Sequence, residues 1–597
     1  MKREIRASSL AGVAGVGAVV DIGSESFLVP GIERWKEEKL RILQLPRLSS
    51  RLRKTLKTPV TDDPFLEVVR FPFSMFCEKC RKMTRWKPDM ERADTEPKCP
   101  VHGCSGSLVP MRFVAACEDG HLGDVNWWRW AHSGPNGNRD CRRYDALHFR
   151  IASTAAGAGL SSLRVECECG SGRSLEDLPN KQIAKATFGP CTGHHPWTPS
   201  THERSPCTAD IVILQRGATN LHYPSTISAL DIPVQETGTE TDQFADQVRS
   251  HKNFPRLKSL ISSSAGDTAE LMDVLLETIA DNVGCPESVV REIAVAEAEG
   301  RTLGSTSNDS GARPPEQSEI LAEEWATFSS ALRHGALSTN EFIAESEPLA
   351  SSAPDWMKSL VRNVLLVRRI REVRAYLGFQ RVKPGGPEKT TRPDIGGERP
   401  WLPAAEVYGE GFVIELDFPS LERWAVQLPA HEKLSVDRLE ERRLTENYWF
   451  LPSVDPIFIV VHTLSHLLLR RLAFECGYSS SSLRERLYVD RLAGHAGIMI
   501  FTAEGDSEGS LGGLVRQGRR DRLSSTIAEA VDEGSWCSAD PVCSETAGQG
   551  LGGFNHGACH ACSLVAETSC VTANTLLDRR MLYNSEWGLM QFLGADQ

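Results

Sequence analysis

The chain has 597 residues, a formal net charge of -12 and a sequence pI of about 5.8. This length exceeds what a single hydrophobic core usually supports, so we expect roughly two to four domains. The acidic balance excludes a protein that binds nucleic acid through bulk positive charge, and any such contact requires a local basic face or a partner.

The N-terminus, MKREIRASSLAGVAGVGAVV, combines a basic tip with a short apolar stretch, as signal peptides do. That stretch is rich in glycine and poor in leucine, and VVDIGSESFLV continues it with strand-like composition. Elsewhere no apolar run reaches the roughly 20 residues that a transmembrane helix needs. We therefore predict a folded N-terminus and a cytoplasmic protein without membrane contact.

Composition and periodicity divide the chain into four segments and predict a mixed α/β, multidomain fold. Residues 1–70 are strand-rich, and their GVAGVG piece is interpreted as a tight turn because no Lys-Ser or Lys-Thr follows it as in a phosphate loop. Residues 71–235 are rich in cysteine, tryptophan and histidine. Residues 236–382 are mainly helical, with a linker at STSNDSGARPPEQS, and residues 383–597 form an α/β domain with a cysteine-rich end.

The seventeen cysteines are clustered, and without a convincing secretion signal this pattern indicates zinc rather than disulfides. A structural zinc site needs four ligands placed tetrahedrally, which two short Cys–Cys loops supply. The first group has the C-x2-C…C-x4-C pattern of a zinc ribbon. Its members are Cys77, Cys80, Cys99 and Cys104.

The second group has a tighter C-x-C pair and is less regular. Its predicted ligands are Cys167, Cys169, Cys191 and Cys207, with His194 and His195 nearby. Cys117 with His121 in ACEDGH, and Cys141, are alternative ligands for this site or for a further one.

The third group lies in GACHACSLVAETSC, where Cys559, Cys562 and Cys570 supply three ligands. Cys537 and Cys543 in SWCSADPVC compete for the fourth position. A redox C-x-x-C is the alternative, but further cysteines on both sides favour a metal. Altogether we predict two to three structural Zn²⁺ ions, since thiolate-rich sites leave little room for a catalytic water.

Two motifs suggest enzymatic chemistry. In HTLSH, His462 and His466 have the i, i+4 spacing of metalloprotease ligands, but Thr463 occupies the position of the catalytic glutamate. We therefore interpret the pair mainly as histidines that structure a buried helix. The loop Gly505–Gly509 (GDSEG) resembles a protease nucleophile loop without a matching His and Asp context.

The stretch from Trp356 to Arg374 has apolar residues at helical spacing and predicts a basic amphipathic helix. A solvated face is one interpretation of its charges, and contact with the phosphates of DNA is the other. The candidate DNA-binding residues are Lys358, Arg362, Arg368, Arg369, Arg371 and Arg374.

Two sets of segments resemble known families. HTLSHLLLRRLAFECGYSSSSLRERLY, GIMIFTAEGDSEGSLGGLV and CHACSLVAETSCVTANTLLDRRML resemble the zinc-binding helicase-associated domain of MrfA-type helicases. GVGAVVDIGSESFLVPGIERW, FVAACEDGHLGDVNWWRWAH, LQRGATNLHYPSTISALDIP, RRIREVRAYLGFQRV and GEGFVIELDF together resemble the DrmB family, the helicase companions of the DISARM anti-phage system.

The resemblance implies a non-catalytic, zinc-containing subunit that pairs with a DrmA-like helicase in a DNA-binding complex that restricts phage DNA. The sequence agrees in lacking a GKT or GKS P-loop and a DEAH-like box. Two alternatives remain open at this point. One is a hydrolase or nuclease that uses His462, His466, Asp506 and Glu508, with Ser507 between the last two. The other is a purely structural adaptor without DNA contact.

Overall fold

The computed structural model describes most of the chain between Ile5 and Ala595. The residues outside the described set are 1–4, 61–65, 93–94, 152–158, 199–203, 234–243, 245–246, 250, 263–268, 299–316, 340, 398, 480, 503–511 and 596–597. The predicted linker, apart from its last two residues, and the loop Gly505–Gly509 with Asp506, Ser507 and Glu508 therefore lie outside the described residues.

The chain forms two compact units. The first contains Met1–Gln44, Lys54–Ile227 and Arg374–Ala405, and the second contains Leu45–Arg53, Ser228–Val373 and Glu406–Gln597. This division differs from the four predicted segments, because Arg374–Ala405 belongs to the first unit although the residues before and after it belong to the second. Composition along the chain cannot show that such a segment packs with residues far from it in sequence. Three strands contribute residues to both units: Tyr223–Leu230, Val361–Gln380 and Trp401–Leu416.

The first unit contains four three-stranded antiparallel sheets with short strands. Their strands, in sheet order, are Val19–Ile22, Glu25–Leu28 and Val69–Arg70; Met83–Arg85, Ser74–Cys77 and Leu108–Pro110; Leu122–Asp124, Phe113–Ala116 and Val212–Gln215; Leu147–Ile151, Leu163–Cys167 and Gly172–Ser174. The strands Leu40–Ile42 and Thr55–Pro59 pair antiparallel, and Thr55–Lys57 also pairs in parallel with Trp401–Pro403. The helices of this unit are Ala7–Leu10, Trp127–His132 and Lys181–Phe188.

Aromatic side chains form the core beneath the N-terminal turn of the first unit. The GVAGVG piece is that turn, and its glycines allow close packing. A Cβ atom on Gly15 would lie 2.4 Å from the Tyr376 ring, and one on Gly17, whose φ is +77°, would lie 2.6 Å from Phe379. The motif is therefore a turn, but it follows the short helix Ala7–Leu10 rather than the strand that we expected, and it precedes the strand Val19–Ile22.

The second unit is built on one larger sheet. Its strands, in sheet order, are Ala336–Ser338, Ile343–Glu347, Val361–Gln380, Trp401–Leu416, His495–Thr502 and Leu483–Asp490. Its helices are Pro46–Leu52, Phe254–Ser262, Ala269–Val283, Glu287–Ala298, Gln317–His334, Asp355–Leu360, Phe418–Gln427, Ala430–Thr445, Pro456–Cys476, Gly513–Gln517, Arg520–Gly534, Val542–Glu545, Arg580–Tyr583 and Leu589–Phe592. A short strand pair, Ala547–Gln549 with Asn555–His556, completes the described elements.

The long helix Pro456–Cys476, here called the core helix, lies in the largest hydrophobic core of this unit. Pro456 occupies its first turn, and the Asp455 side chain accepts a hydrogen bond from the Ile457 N–H at 2.7 Å, which caps the N-terminus. Gly477, with φ of +68°, ends it. Contrary to the expectation that no apolar run is long enough, this helix has the length and composition to span a bilayer. Most of it is buried inside this unit, as predicted for a buried helix.

The predicted basic helix from Trp356 to Arg374 is wrong beyond its first turn. Only Asp355–Leu360 is helical, and Val361–Gln380 forms a strand. Leu366 packs into the core that contains the core helix, whereas Leu365 and Val367 pack on the opposite face of the sheet. Since both faces are covered, the apolar residues run continuously and imitate helical spacing.

Candidate metal centres

The ribbon cluster consists of Cys77, Cys80, Cys99 and Cys104, which the structure brings together. The hairpin of Ser74–Cys77 and Met83–Arg85 presents the first two sulfurs. The Sγ atoms of Cys77 and Cys104 are 3.6 Å apart, as are those of Cys80 and Cys99. A disulfide would require about 2.05 Å, whereas tetrahedral zinc with Zn–S bonds of about 2.3 Å separates its sulfurs by about 3.8 Å. The spacing fits zinc.

The second predicted group forms two clusters rather than one. Cys191 and Cys207 join Cys117 and His121 in the Cys117 cluster. The Cys117 Sγ lies 3.2 Å from the His121 Nδ1. The other ring nitrogen of His121, Nε2, lies 2.9 Å from the Ser205 hydroxyl, which fixes the ring orientation.

Cys167 and Cys169 lie in the separate His132 cluster, together with His132 and Cys141. The Cys169 Sγ is 3.3 Å from the His132 Nε2, and the His132 Nδ1–H donates to the Trp128 carbonyl at 2.7 Å. The hydrogen bond between Cys169 and the Ser171 hydroxyl lowers the pKa of the Cys169 thiol to about 6, which favours the thiolate that a metal binds.

The single predicted set of Cys167, Cys169, Cys191 and Cys207 is therefore wrong as a grouping. Each cysteine pair lies next to two ligands from residues 117–141, because the sheets of this unit place segments that are far apart in sequence side by side. The sequence offered Cys117, His121 and Cys141 as alternatives, but His132 was missed. The sequence could have pointed to His132 only through the number of ligands. Two cysteine pairs in separate four-ligand sites need four further ligands, and Cys117, His121 and Cys141 supply only three.

The C-terminal cluster consists of Cys537, Cys543, Cys559 and Cys562. The Sγ atoms of Cys537 and Cys559 are 3.6 Å apart, and those of Cys543 and Cys562 are 3.8 Å apart. Both competitors for the fourth position therefore belong to this cluster, and Cys570 does not. The Asp540 carboxylate accepts the backbone N–H groups of Cys537 and Ser544 and so folds the loop that carries both cysteines.

Cys570 lies instead in the His–Glu–Cys cluster, with His462, His466 and Glu485. The two histidines come from the core helix, and Glu485 comes from the strand Leu483–Asp490. Both histidines are fully buried. Burial raises the pKa of the Cys570 thiol, as does Glu485, but the two histidines lower it to about 6.

The six residues predicted to contact DNA divide by burial. Arg371 and Arg374 are 7% and 8% exposed, so they are not surface contacts. The Arg371 guanidinium lies 2.7 Å from Asp231 Oδ2 and 2.7 Å from Glu406 Oε2. The prediction for these two arginines is wrong, because they lie on a strand whose faces are covered by other parts of the protein rather than on the exposed side of a helix.

The other four predicted residues are exposed. Three of them pair with nearby carboxylates: Lys358 with Asp355, Arg368 with Glu345 and Arg369 with Glu341. Arg362 forms no ion pair with any residue that the structure describes. Of the six predicted residues, Arg362 is therefore the one whose charge is best placed to contact a phosphate.

Two family models match the chain. A domain of unknown function, DUF8724, matches residues 6–223, which include the three clusters of the first unit. The MrfA Zn-binding domain matches residues 464–563, which include all four cysteines of the C-terminal cluster. The predicted resemblance to the MrfA-type domain is confirmed, and the C-terminal cluster lies within the residues that match this zinc-binding domain.

A full-length relative identifies the family. The DISARM protein DrmB of Bacillus paralicheniformis is 32% identical over 581 residues, which cover 94% of this chain and 97% of that protein. The match therefore extends over both compact units. The chain belongs to the DrmB family of DISARM proteins.

Proposed function

We propose that the chain is a non-catalytic, zinc-containing subunit of a DISARM defence complex. It pairs with a DrmA-like helicase subunit, and the pair binds and restricts phage DNA in the cytoplasm. The observation that carries this proposal is the similarity to a DISARM DrmB over nearly the whole length of both chains. A relationship of that extent covers the surfaces that a partner would use as well as the cores.

Four clusters support a structural role for zinc: the ribbon, Cys117, His132 and C-terminal clusters. Each offers four cysteine or histidine ligand atoms that lie within 4.8 Å of one another. Four protein ligands leave no open coordination position for water, which is the arrangement of structural rather than catalytic zinc. We propose one ion in each, hence four rather than two to three.

The hydrolase alternative is not favoured by the described residues. His462 and His466 are 0% exposed, and Glu485 is 2% exposed. A substrate would need to reach these groups through the hydrophobic core of the second unit. A nucleophile or general base must instead lie within hydrogen-bond reach of its substrate.

An arginine-rich turn supplies a better DNA surface than the predicted helix. It contains Arg516, Arg519, Arg520 and Arg522, all exposed, against the single acidic residue Asp521. None of the four arginines forms an ion pair with a residue in the described ranges. Free guanidinium groups of this kind position DNA through its phosphates.

The arginine-rich turn lies beside the strand that carries Arg362. The Arg520 backbone N–H donates to the Glu347 Oε1 at 3.2 Å, and Glu347 lies opposite Val364 in the sheet, two residues from Arg362. The turn therefore lies near the strand that carries Arg362, with the Glu347 carboxylate between them. The four arginines of the turn and Arg362 are here called the basic surface. We propose that this surface contacts the phosphates of DNA in the complex.

The test uses the chain co-expressed with the DrmA-like helicase of its own system. The variant R516E/R519E/R522E should still co-purify with the helicase but bind labelled DNA at least tenfold more weakly. Three lost phosphate contacts should also lower the slope of log K against log salt by about 3. Fluorescence anisotropy at several salt concentrations measures both quantities.

The matched control is R139E/R142E/R143E, which makes the same charge change on exposed arginines of the first unit. It should leave the affinity nearly unchanged. Equal effects of the two variants would refute the specific surface, and no effect of either would favour an adaptor without DNA contact. Failure of the wild-type chain to co-purify with the helicase would refute the pairing itself.

A further inference from the structure

The His–Glu–Cys cluster has no part in the proposed function. The MrfA Zn-binding match covers residues 464–563 and so leaves out both His462 and Cys570. The four side chains come from the core helix, from the strand Leu483–Asp490 and from the segment after the C-terminal cluster. None of these four side chains belongs to the four clusters described above.

Hydrogen bonds fix the orientation of both imidazole rings. The Nδ1 atom of His466 lies 2.9 Å from the Ser563 carbonyl oxygen, and the Nδ1 atom of His462 lies 3.2 Å from the Leu576 carbonyl oxygen. A carbonyl oxygen only accepts, so each Nδ1 carries a proton. In the neutral rings, both Nε2 atoms then point lone pairs at the other members of the cluster. This is the second-sphere arrangement of metal-binding histidines.

The sulfur of Cys570 is also surrounded as a metal ligand is. It accepts the backbone N–H groups of Thr572 at 3.4 Å and Asn574 at 3.2 Å. The same N–H to sulfur contact from two residues ahead, at 3.4 Å, occurs at Cys77 of the ribbon cluster and Cys537 of the C-terminal cluster. Donors that approach from outside favour the thiolate and leave its remaining lone pairs facing inward.

Glu485 completes a set of four acceptors. Its Oε2 accepts the Ser465 hydroxyl at 2.5 Å, and its Oε1 accepts the Val571 N–H at 3.2 Å. The Nε2 atom of His466 lies 3.5 Å from that Oε1 but makes no hydrogen bond, although the residue is fully buried. A buried polar atom without a hydrogen-bond partner, aimed at three other acceptors, favours a cation between them.

The distances suit one ion of zinc's size. The Nε2 atom of His462 lies 3.1 Å from Glu485 Oε1 and 3.3 Å from Cys570 Sγ. All four ligand atoms lie within 4.8 Å of one another. Tetrahedral zinc with bonds of about 2.0–2.3 Å separates its ligand atoms by about 3.3–3.8 Å.

We propose that His462, His466, Glu485 and Cys570 form a fifth metal site, which binds Zn²⁺ and joins the core helix, the sheet and the C-terminal segment. Its two nitrogens, one oxygen and one sulfur suit zinc's borderline softness. The site is closed by four protein ligands and buried, so its role is a structural cross-link. HTLSH thus supplies two ligands of the site, the next strand supplies Glu485, and Cys570 lies about 100 residues beyond the two histidines along the chain.

Zinc content per chain tests the site in the purified full-length protein. Elemental mass spectrometry should find five ions in the wild type and four in C570A and H466N, with far-UV circular dichroism confirming that each variant folds. The matched control is C476A, which removes a thiol at the end of the same helix that belongs to none of the clusters, and it should retain five. An equal zinc content in wild type and both cluster variants would refute the site.

A second measurement uses only the wild type, in case the variants do not fold. An anomalous difference map of crystals, recorded at the zinc edge, should show a peak among the four side chains. Peaks at the other clusters and none here would refute the proposal. The group would then be a hydrogen-bonded network in which protons on the histidines supply the positive charge.

Discussion

The two compact units differ in how much of their stability we expect from metal ligands and how much from large apolar cores. The three-stranded sheets of the first unit have strands of two to five residues, and three Cys/His clusters lie among them. The second unit pairs two eight-residue strands along their full length and packs a 21-residue helix against the sheet. Small sheets bury too little apolar surface to be stable alone. The comparison therefore suggests that metal ligands replace hydrophobic area in the first unit.

The largest expected effect comes from removing a ligand of the ribbon cluster. C77S should lose one zinc ion and unfold the sheet of Ser74–Cys77, because structural zinc supplies about 10 kcal/mol or more of folding free energy in small domains. Hydrogen exchange should show lost protection across residues 74–110. The control C285S alters a buried thiol that packs in a helical core of the second unit, and it should leave the first unit protected. Full protection of residues 74–110 in C77S would contradict the inference that metal ligands stabilise the first unit.

A buried charge network gives the next largest effect, in the second unit. Glu324 is fully buried and bonds Arg486 at 2.8 Å and the Tyr488 hydroxyl at 3.0 Å. E324Q should destabilise this unit by about 3–5 kcal/mol, since it removes the carboxylate charge that Arg47 and Arg486 share and leaves Arg486 with Glu372 alone among the described carboxylates. E319Q, on the same helix but paired at the surface with Arg51, should cost less than about 1 kcal/mol. Urea unfolding of both variants measures the difference, and equal midpoints would refute it.

Much of the second unit could be predicted, and its exceptions have physical causes. The core helix follows from its cap, its terminal glycine and its apolar faces. The strand Val361–Gln380 did not follow, because burial on both faces removes the period of two, and only its valine and isoleucine content indicated a strand.

The ligands of the metal clusters could also be predicted only in part. Short C-x2-C spacings could be recognised in sequence, since one loop holds both ligands. The pairing of Cys191 and Cys207 with Cys117, about 75 to 90 residues earlier, depends on which strands become neighbours. The cysteine that completes the HTLSH group also comes from a distant segment, whereas its glutamate comes from the strand that follows the core helix. Only the fold brings these residues together.

Acid should affect the first unit through His222. This side chain packs between Tyr376 and Phe379, and burial lowers its pKa to about 3 from the ordinary 6.5. The unfolded chain then binds more protons than the folded one, so stability is lost as the pH falls from about 6.5 towards 3. Between pH 6.5 and 5.5 the loss should be about 1 kcal/mol.

Thermal unfolding of wild type and H222N at these two pH values measures the effect. H222N should be less stable at pH 7 but should lose less stability on acidification. The control H431N changes an exposed histidine of the second unit and should keep the wild-type pH dependence. An unchanged pH dependence in H222N would show that His222 does not contribute to the acid sensitivity.

The smallest expected effect contrasts two arginines of one strand. Arg368 is partly exposed and pairs with Glu345 at the surface, so R368A should change the stability of the second unit by less than about 0.5 kcal/mol. Arg371, three residues later, is buried between Asp231 and Glu406, and R371A should cost several times more because it leaves two carboxylates without their partner. Comparing the urea midpoints of R368A and R371A tests whether this segment is a strand, as in the structure, or the helix that the sequence predicted. On a helix, residues three apart share a face and would respond alike, whereas in this strand they lie on opposite faces.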